Sequence, residues 1–382
     1  MNIAFYVNDL SLTGTPEFVK LTAGELARRR HTVYLLLPES GDLAGEADLP
    51  ANVRLCSIPR SMTVPQFNRR LRELEVDILD YNGWAPLTHL NYAVIGRTAA
   101  VPVVAHYHCM VARLTLRRLL GYGLRPHTLV RMFKDWSRKR YFDGHIVCYQ
   151  AAYDRARVVF GPMNRHKLYS LPCGIRIPEQ QVDDDIMLGP PHIIQVGKLT
   201  MQKGPLMTLQ ALHRLQAEFP AAALTLVGQG ELRTEIADYI HTHQVRNVRL
   251  VGEVQSVQPW YLQANINCLP SKWEAMPFVL KEAGALAIPS ITTGRDGQPE
   301  AVLDGHTGFI IPEDNPEALY RAMVRLAGDA ALRRQMGQAA REHIRRHFAI
   351  TDMCDELVKI YKHTIRISPR KRIIKQESAL YV

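Results

Sequence analysis

The stretch from residue 271 to 308 is SKWEAMPFVLKEAGALAIPSITTGRDGQPEAVLDGHTG. It follows a short apolar run, INCLP, and it places Glu274 and Glu282 eight positions apart in an otherwise apolar segment. Pro277 lies between them, and proline is well tolerated in the first turn of a helix. We therefore predict a strand, then a loop that carries Glu274, then a helix that begins near Pro277 and contains Glu282.

The rest of the chain alternates in the same way between short apolar runs and helical segments. The strand candidates are residues 2–7, 32–37, 77–81, 101–107, 144–149, 192–197, 223–228, 247–252, 266–270 and 288–293. Strands that alternate with helices favour a parallel sheet covered by helices on both faces. The predicted fold class is α/β, with two similar Rossmann-like halves.

A change in composition separates the two halves. Residues 171–191, LPCGIRIPEQQVDDDIMLGPP, are rich in Pro, Gly and Asp, which is typical of a linker. In parallel sheets ligands bind at the carboxyl ends of the strands, so we expect a ligand in a cleft between the halves. The predicted organisation is an N-terminal domain (1–172), a linker (173–190), a C-terminal domain (191–350), a helix (351–364) and a basic tail (365–382).

Composition is that of a globular protein, with 382 residues, 47% of them hydrophobic and 22% charged. The six cysteines are far apart and form no CxxC pair, which favours buried thiols in a reduced compartment. The first residues, MNIAFYVNDL, have no basic segment before their apolar run, and no apolar run reaches the roughly 18 residues of a spanning helix. We expect a cytoplasmic protein.

Basic residues concentrate in two segments of a chain whose formal charge is +10. One is 113–140, where Leu, Trp, Phe and Met alternate with Arg and Lys, and the other is 366–375. The first pattern is typical of a surface that contacts anionic lipid headgroups, which predicts a peripheral position at the inner face of the cytoplasmic membrane. The alternative is a solvated helix face. The sequence contains no nucleic-acid reader motif, so we expect no nucleic-acid partner.

The segment VGKLTMQKGP, residues 196–205, follows one of the predicted strands. Its loop holds Lys198 and Lys203, and a helix is predicted to begin at its end. Glycines allow a close backbone approach, the lysines supply positive charge, and the helix amides supply donors, which together suit a diphosphate. The alternative is an ordinary strand-to-helix turn. It is not a Walker loop, because the G-x-x-x-x-G-K-[ST] pattern is absent.

The helix start near Pro277 is predicted to supply a second set of anion-binding groups. The backbone amides of Met276, Phe278 and Val279 would form an anion site there. A carboxylate beside such a site suits hydroxyl groups rather than phosphate. Diphosphate on amides and lysines, with hydroxyls on glutamates, describes a nucleotide sugar.

These motifs together resemble those of the retaining glycosyltransferases of the GT-B fold, in the large group 1, family 4-like family whose signature is E-x7-E. The segments that carry the resemblance are EAMPFVLKEAGALAIPSITT, QPEAVLDGHTGFIIP, VGKLTMQKG, LTLVGQGEL, SLTGTPEFVKLTAGELARRRHTV and KLYSLPCGIRIP. They extend over nearly the whole chain. The resemblance implies two Rossmann-like parallel-sheet domains that face a central cleft, with the acceptor bound by the N-terminal domain (1–172) and the nucleotide sugar by the C-terminal domain (191–350). It also implies a C-terminal helix that crosses back to the first domain, and catalysis without a metal.

The resemblance also implies roles for individual residues of the second half. Glu282 would bind the ribose hydroxyls of the donor, and Glu274 would bind hydroxyls of the transferred sugar. Lys203 and Lys198 would neutralise the diphosphate. The family usually has arginine at position 198, and lysine lacks the bidentate fork of arginine.

In the first half, the resemblance implies roles for a glycine and a histidine. Gly14 would let the opening loop approach the same phosphates, although the family often has two adjacent glycines there. His108 matches the family histidine near the transferred sugar, and His106 competes with it within the segment AHYH. The catalytic group is therefore predicted to be Glu274, His108 and Lys203.

The predicted function is retaining transfer of a sugar from a nucleoside diphosphate sugar, with UDP favoured, to a hydroxyl of a glycan or lipid-linked acceptor. The predicted context is the assembly of a bacterial envelope glycan such as lipopolysaccharide, capsule or exopolysaccharide. No cofactor and no metal are expected. The alternatives are transfer to a small-molecule acceptor such as an antibiotic aglycone, a nucleotide-sugar 2-epimerase, and a non-catalytic, degenerate transferase.

Overall fold

The computed structural model describes residues 1–10, 14–39, 49–50, 52–59, 61–82, 98–108 and 141–370. These residues divide into two compact units. Unit 1 contains the described residues up to Gly174 and those from Ile350 onward, and unit 2 is Ile175–Ala349. The predicted membrane-facing segment 113–140 lies outside the described residues.

Unit 1 contains, in its described residues, a seven-stranded parallel sheet with the order β3-β2-β1-β4-β5-β6-β7. Its strands are β1 (Asn2–Tyr6), β2 (Thr32–Pro38), β3 (Val53–Ile58), β4 (Ile78–Tyr81), β5 (Val103–Tyr107), β6 (Gly144–Val147) and β7 (Leu168–Ser170). Its first helices are α1 (Gly14–Arg28), α2 (Val64–Glu73) and α3 (Gln150–Phe160), and a 3-10 helix spans Pro162–Lys167. The interior strands β4 and β6 are buried along their whole length, as expected for a parallel sheet with helices on both faces.

Unit 2 contains a six-stranded parallel sheet with the order β10-β9-β8-β11-β12-β13. Its strands are β8 (His192–Val196), β9 (Ala223–Val227), β10 (Val248–Gly252), β11 (Ile266–Leu269), β12 (Ser290–Thr293) and β13 (Gly308–Ile311). Its helices are α4 (Asp184–Leu188), α5 (Pro205–Leu215), α6 (Arg233–His243), α7 (Gln258–Tyr261), α8 (Phe278–Ala285), α9 (Gln298–Ala301), α10 (Pro316–Gly328) and α11 (Ala330–His347). The predicted fold class, two Rossmann-like parallel-sheet domains, is confirmed.

The chain returns to unit 1 through its last described helix, α12 (Ile350–Ile367). Arg29, just beyond α1, forms an ion pair with Asp355 and donates a hydrogen bond to the carbonyl of Thr351 at 2.7 Å. The start of α12 lies close to Gly174: a Cβ added at Gly174 would be 2.9 Å from the Cα of Ile350. Only glycine fits this position without a shift of the backbone.

The predicted linker, residues 173–190, differs from a simple connection. From Ile175 onward it belongs to unit 2 and includes α4. Val182 and Met187 are both 3% exposed and belong to the apolar core of that unit. The many Pro, Gly and Asp residues of this segment predicted a linker, although Val182 and Met187 pack in the core.

The buried side chain of Arg333 holds this segment to the helices of unit 2. Arg333 is 1% exposed and donates hydrogen bonds to four backbone carbonyls, those of Met187, Gly189, Leu326 and Ala327, at 2.6–3.2 Å. These hydrogen bonds offset part of the free energy that burial of a charged guanidinium costs. Among the described residues, no helix combines the length and apolarity needed to cross a membrane.

The sequence pattern did not indicate three strands: β3, β7 and β13. Only three of the six residues of β3 are buried, and this strand lies at the edge of its sheet, so it has no continuous apolar run. The strand β7 has only three residues.

Candidate functional site

Two loops that carry predicted site residues follow neighbouring strands of unit 2. The loop after β8 holds Lys198 and Lys203, and the loop after β11 holds Glu274. The chain leaves β8 toward β9 on one side and leaves β11 toward β12 on the other. Such a divergence opens a crevice at the carboxyl edge of a parallel sheet, and this is where open α/β sheets bind ligands.

The β8 loop is held close to the sheet by glycines and by a buried glutamine. Gly197 has φ +142°. Aliphatic carbons of the Lys203 side chain lie 3.7 Å from the position that a Cβ of residue 197 would occupy. The side chain of Gln195 is 3% exposed and donates to the carbonyl of Lys203 at 2.8 Å. Gly204 has a left-handed φ of +66° and precedes α5. Lys203 is therefore held over the start of its own loop, whereas Lys198 is exposed.

The β11 loop is hydrogen-bonded to the β8 loop. The backbone amide of Lys272 donates to the carbonyl of Gln202 at 2.8 Å, and the Gln202 side chain donates to the carbonyl of Trp273 at 2.8 Å. These bonds bring the ammonium of Lys203 against the carboxylate of Glu274. The side chains are 21% and 10% exposed, so the ion pair is partly buried. Two predicted site residues that are 71 positions apart thus form one charged pair.

The base of the β11 loop is fixed by a buried polar cluster that the sequence analysis did not identify. Gln298 is fully buried, accepts a hydrogen bond from Thr292 and donates one to Thr293 at 3.0 Å. Thr293 in turn donates to the carbonyl of Ser271 at 2.6 Å. A satisfied buried network is rigid, and this one fixes the backbone three residues before Glu274.

The helix α8 begins at Phe278, as the proline pattern predicted, and Pro277 is its cap residue. No described side chain caps this end of the helix, so the positive end of the helix dipole is not neutralised there by a side-chain acceptor. Phe278 and Val279 are partly exposed, whereas the side chain of Met276 is only 6% exposed. At position 276 the backbone amide is therefore the group that would contact a ligand.

Glu282 lies in α8, one turn beyond its start, and is partly buried. Tyr261, which is fully buried, donates from its hydroxyl to the carbonyl of Val279 at 3.1 Å. Burial, together with the negative charge of Glu282, raises the pKa of Tyr261 well above 10. The tyrosine therefore remains a hydrogen-bond donor and anchors the first turn of α8.

In unit 1, the structure distinguishes between the two candidate histidines. The His106 side chain is completely buried, whereas His108 is half-buried just after β5. Nε2 of His108 lies 2.7 Å from Oδ1 of Asn82, which follows β4. Burial lowers the pKa of His108. Phe18 of α1 packs against both imidazole rings, with centroid distances of 4.6 and 4.8 Å.

Gly14 is the first residue of α1, the helix that follows β1. Residues 11–13 of the opening loop lie outside the described residues, so the approach of that loop to a phosphate stays a prediction. In this sheet the chain diverges between β1 and β4, which places Gly14, Asn82 and His108 after three adjacent strands of unit 1.

The fold places this chain in the class of proteins with two Rossmann-like parallel-sheet domains, and the comparisons with known proteins identify the family. The model of "Glycosyl transferases group 1" matches residues 177–343, and that of "Glycosyltransferase Family 4" matches residues 13–177. The two matches together extend over most of the chain. The protein belongs to the group 1, family 4-like glycosyltransferases, as the sequence motifs predicted.

Several bacterial proteins are similar in sequence to part or most of this chain. A glycogen synthase of Mycobacterium tuberculosis is 29% identical over 45% of this chain and 42% of its own length. The capsular polysaccharide biosynthesis glycosyltransferase CapM of Staphylococcus aureus is 27% identical over 50% of this chain and 49% of its own. The chain thus spans about half the length of these relatives. A GDP-mannose-dependent alpha-(1-6)-phosphatidylinositol monomannoside mannosyltransferase of Mycolicibacterium smegmatis is 23% identical over 86% of this chain and 89% of its own.

A solved structure has the same fold over nearly the whole chain. The Anabaena protein Alr3699/HepE, crystallised with UDP, has a TM-score of 0.75 at 15% identity, and the match covers 94% of this chain and 99% of that one. At this identity the likeness establishes the GT-B fold alone. The roles of individual residues remain predictions, which the geometry of the loops makes specific.

Proposed function

We propose that the protein transfers a sugar from a nucleoside diphosphate sugar to a hydroxyl of a bacterial envelope glycan. The observation that carries this proposal is the ion pair of Lys203 and Glu274 at the carboxyl edge of the second sheet, beside the start of α8. One partner is suited to phosphate, the other to sugar hydroxyls, and both are held by loops that are bonded to each other.

The diphosphate is proposed to lie against the positively charged groups at this edge. Lys203 and Lys198 supply two cations, and the amides at the start of α8 supply donors aligned with the helix dipole. Negative charge grows on the diphosphate as the glycosidic bond breaks, so groups already in place there stabilise the transition state. In this proposal the lysines and amides do the work for which other transferases use a divalent metal.

The reaction is proposed to retain the anomeric configuration. The departing phosphate oxygen would accept the proton of the acceptor hydroxyl on the same face of the sugar. Glu274 would hold hydroxyls of the sugar, Glu282 would hold those of the ribose, and His108 would lie near the sugar. A product of inverted configuration, detected by NMR of the anomeric proton, would contradict this route.

The relatives support a nucleoside diphosphate donor and a polysaccharide or lipid-linked acceptor. CapM is a capsular polysaccharide enzyme by its name, and the mycobacterial relative acts on a phosphatidylinositol mannoside by its name. The relatives differ in nucleotide, since the Anabaena protein was crystallised with UDP and the mannosyltransferase depends on GDP-mannose. We favour UDP, and we place the reaction at the inner face of the cytoplasmic membrane.

A thermal-shift panel of UDP, GDP, ADP and dTDP tests the donor site. We expect one diphosphate to raise the melting temperature of the wild-type protein, and we expect the shift to be lost in Glu282→Gln. The matched control is Glu253→Gln, which removes an exposed carboxylate elsewhere in unit 2 and should behave like the wild type. Equal responses of the two variants would contradict the predicted role of Glu282.

Product analysis tests the transfer itself. The sugar donor that corresponds to the diphosphate found is incubated with and without a membrane-extracted glycolipid acceptor. Transfer predicts a glycosylated product only in the presence of the acceptor. Conversion of the donor to a different nucleotide sugar without an acceptor would instead indicate an epimerase.

A further inference from the structure

A chain of buried hydrogen bonds leads from the last helix of unit 1 to His108. The hydroxyl of Tyr361, in α12, donates to Oδ2 of Asp80 at 2.5 Å. The side-chain amide of Asn82 donates to Oδ1 of the same carboxylate at 3.0 Å, and Oδ1 of Asn82 lies 2.7 Å from Nε2 of His108. Tyr361 and Asp80 are 0% exposed and Asn82 is 3% exposed, so solvent does not compete for these bonds.

The direction of the bonds in this chain determines where His108 carries its proton. A carboxylate only accepts hydrogen bonds, so Asp80 requires the NH2 group of Asn82 on its side. The carbonyl of Asn82 then faces His108 and accepts, which requires a proton on Nε2 of His108. Burial disfavours a second proton on the ring. His108 is therefore neutral, with its lone pair on Nδ1.

Within the part of the chain that the structure describes, the neighbour of Nδ1 of His108 is a weak hydrogen-bonding group. The thiol sulfur of Cys173 is 3.9 Å away, at the limit of a sulfur hydrogen bond. A hydroxyl group is a much better donor to an imidazole lone pair than a thiol. The ring cannot turn freely to offer its other edge, because it is stacked on His106 at 4.7 Å between centroids and packed against Phe18.

Apolar side chains at these positions would cost less free energy to bury, since a buried polar group destabilises the fold unless it is hydrogen-bonded. Asp80 also lies 3.4 Å from Nδ1 of His106, so its carboxylate holds three neighbours at once. Polar networks of this kind orient a functional group, and the group at the half-buried end is His108.

We propose that Asn82, Asp80 and Tyr361 are positioning residues that hold His108 as the neutral Nε2–H tautomer, with Nδ1 directed to accept a hydrogen bond from a hydroxyl of the donor sugar. This proposal rests on the proposed glycosyltransferase function for the identity of the sugar. The arrangement of the chain and the tautomer do not depend on that function, and they are tested separately.

The first test measures the tautomer. Nitrogen NMR of protein with 15N-labelled histidine distinguishes a protonated ring nitrogen from a bare one. The His108 signals are assigned as those lost in His108→Gln among the fifteen histidines. We expect a protonated Nε2 and a bare Nδ1 in the wild type, and a mixture of tautomers in Asn82→Ala. A proton on Nδ1 in the wild type overturns the proposal whatever the protein's activity.

The second test measures the consequence for the reaction. Tyr361→Phe keeps the aromatic ring and removes only the hydroxyl, so it remains informative if Asn82→Ala does not fold. We expect kcat/KM for the sugar donor to fall about tenfold in Asn82→Ala and about threefold in Tyr361→Phe, with unchanged affinity for the free nucleoside diphosphate. The matched control is Tyr169→Phe, which removes a hydroxyl bonded to His363 of the same helix, 2.6 Å away.

The outcomes separate this proposal from the proposed function. Turnover in Tyr361→Phe equal to that of Tyr169→Phe, with a folded protein, overturns the positioning role. Parallel loss of turnover and of nucleotide affinity also overturns it, because that pattern indicates general loss of structure. If no donor supports turnover in the wild type, the proposed function fails, and the NMR result alone decides the tautomer and its dependence on Asn82.

Discussion

Replacing Glu274 with glutamine should strengthen the binding of a free nucleoside diphosphate. In the wild type, the ammonium of Lys203 is paired with the Glu274 carboxylate, and a bound diphosphate must compete for it. The variant keeps the size of the side chain and removes its charge. Lys203 is then available to the phosphates without giving up an ionic partner, and the diphosphate no longer lies near a carboxylate.

The expected magnitude follows from the partial burial of the pair. Its side chains are 21% and 10% exposed, so it is worth about 1 kcal/mol, at the upper end for pairs near the surface. This corresponds to about a fivefold tighter binding of UDP. A UDP-sugar should respond in the opposite direction, because hydrogen bonds between its hydroxyls and a charged group, worth about 1.5–3 kcal/mol, are lost.

Isothermal titration calorimetry with UDP and UDP-glucose measures both effects on one protein preparation, with GDP and GDP-mannose titrated in parallel. The increase in affinity for the free diphosphate should be smaller at high salt, because salt screens the interaction between Lys203 and the phosphates. Glu317→Gln is the matched control, since Glu317 forms exposed ion pairs with Arg214 of α5 and with Arg321 of its own helix. Weaker or unchanged binding of the diphosphate in Glu274→Gln would refute the reasoning, because Glu274 would then not compete for Lys203.

Three further predictions concern stability. Gly228→Ala should lower the free energy of unfolding, measured in urea, by about 3 kcal/mol, because φ is +136° and the new Cβ would lie 2.1 Å from the carbonyl oxygen of Gly197. Gly305 has φ +71° and no described atom near the position of a Cβ, so Gly305→Ala should lower the free energy of unfolding by only about 1 kcal/mol. Arg333→Met should cost about 3 kcal/mol, since four carbonyls lose their donor, whereas the exposed pair lost in Arg334→Met should cost less than about 0.5 kcal/mol. Burial lowers the pKa of His192 below its ordinary 6.5, so the folded state resists a proton that the unfolded state binds. The free energy of unfolding should therefore fall as pH drops below about 6.5, and less steeply in His192→Gln; equal slopes would contradict this.

The sequence alone predicted ten of the thirteen described strands and the family, because a parallel strand covered on both faces has a short apolar sequence between two helices. It also predicted the helix start near Pro277 and the phosphate-type loop with its two lysines, since these are local patterns. It placed His108 and His106 as competitors. Their difference in burial is a property of the tertiary structure, in which Phe18 of α1 packs against both rings.

Only the tertiary structure decided which of these residues lie next to each other. Lys203 and Glu274 are 71 positions apart, and Asp80 and Tyr361 are 281 positions apart. No local periodicity encodes such pairs, since they arise when the carboxyl ends of adjacent parallel strands converge and when a helix returns to the first unit from the end of the chain. The sequence determined which chemical groups are present, and the order of the strands in each sheet determined which of them meet.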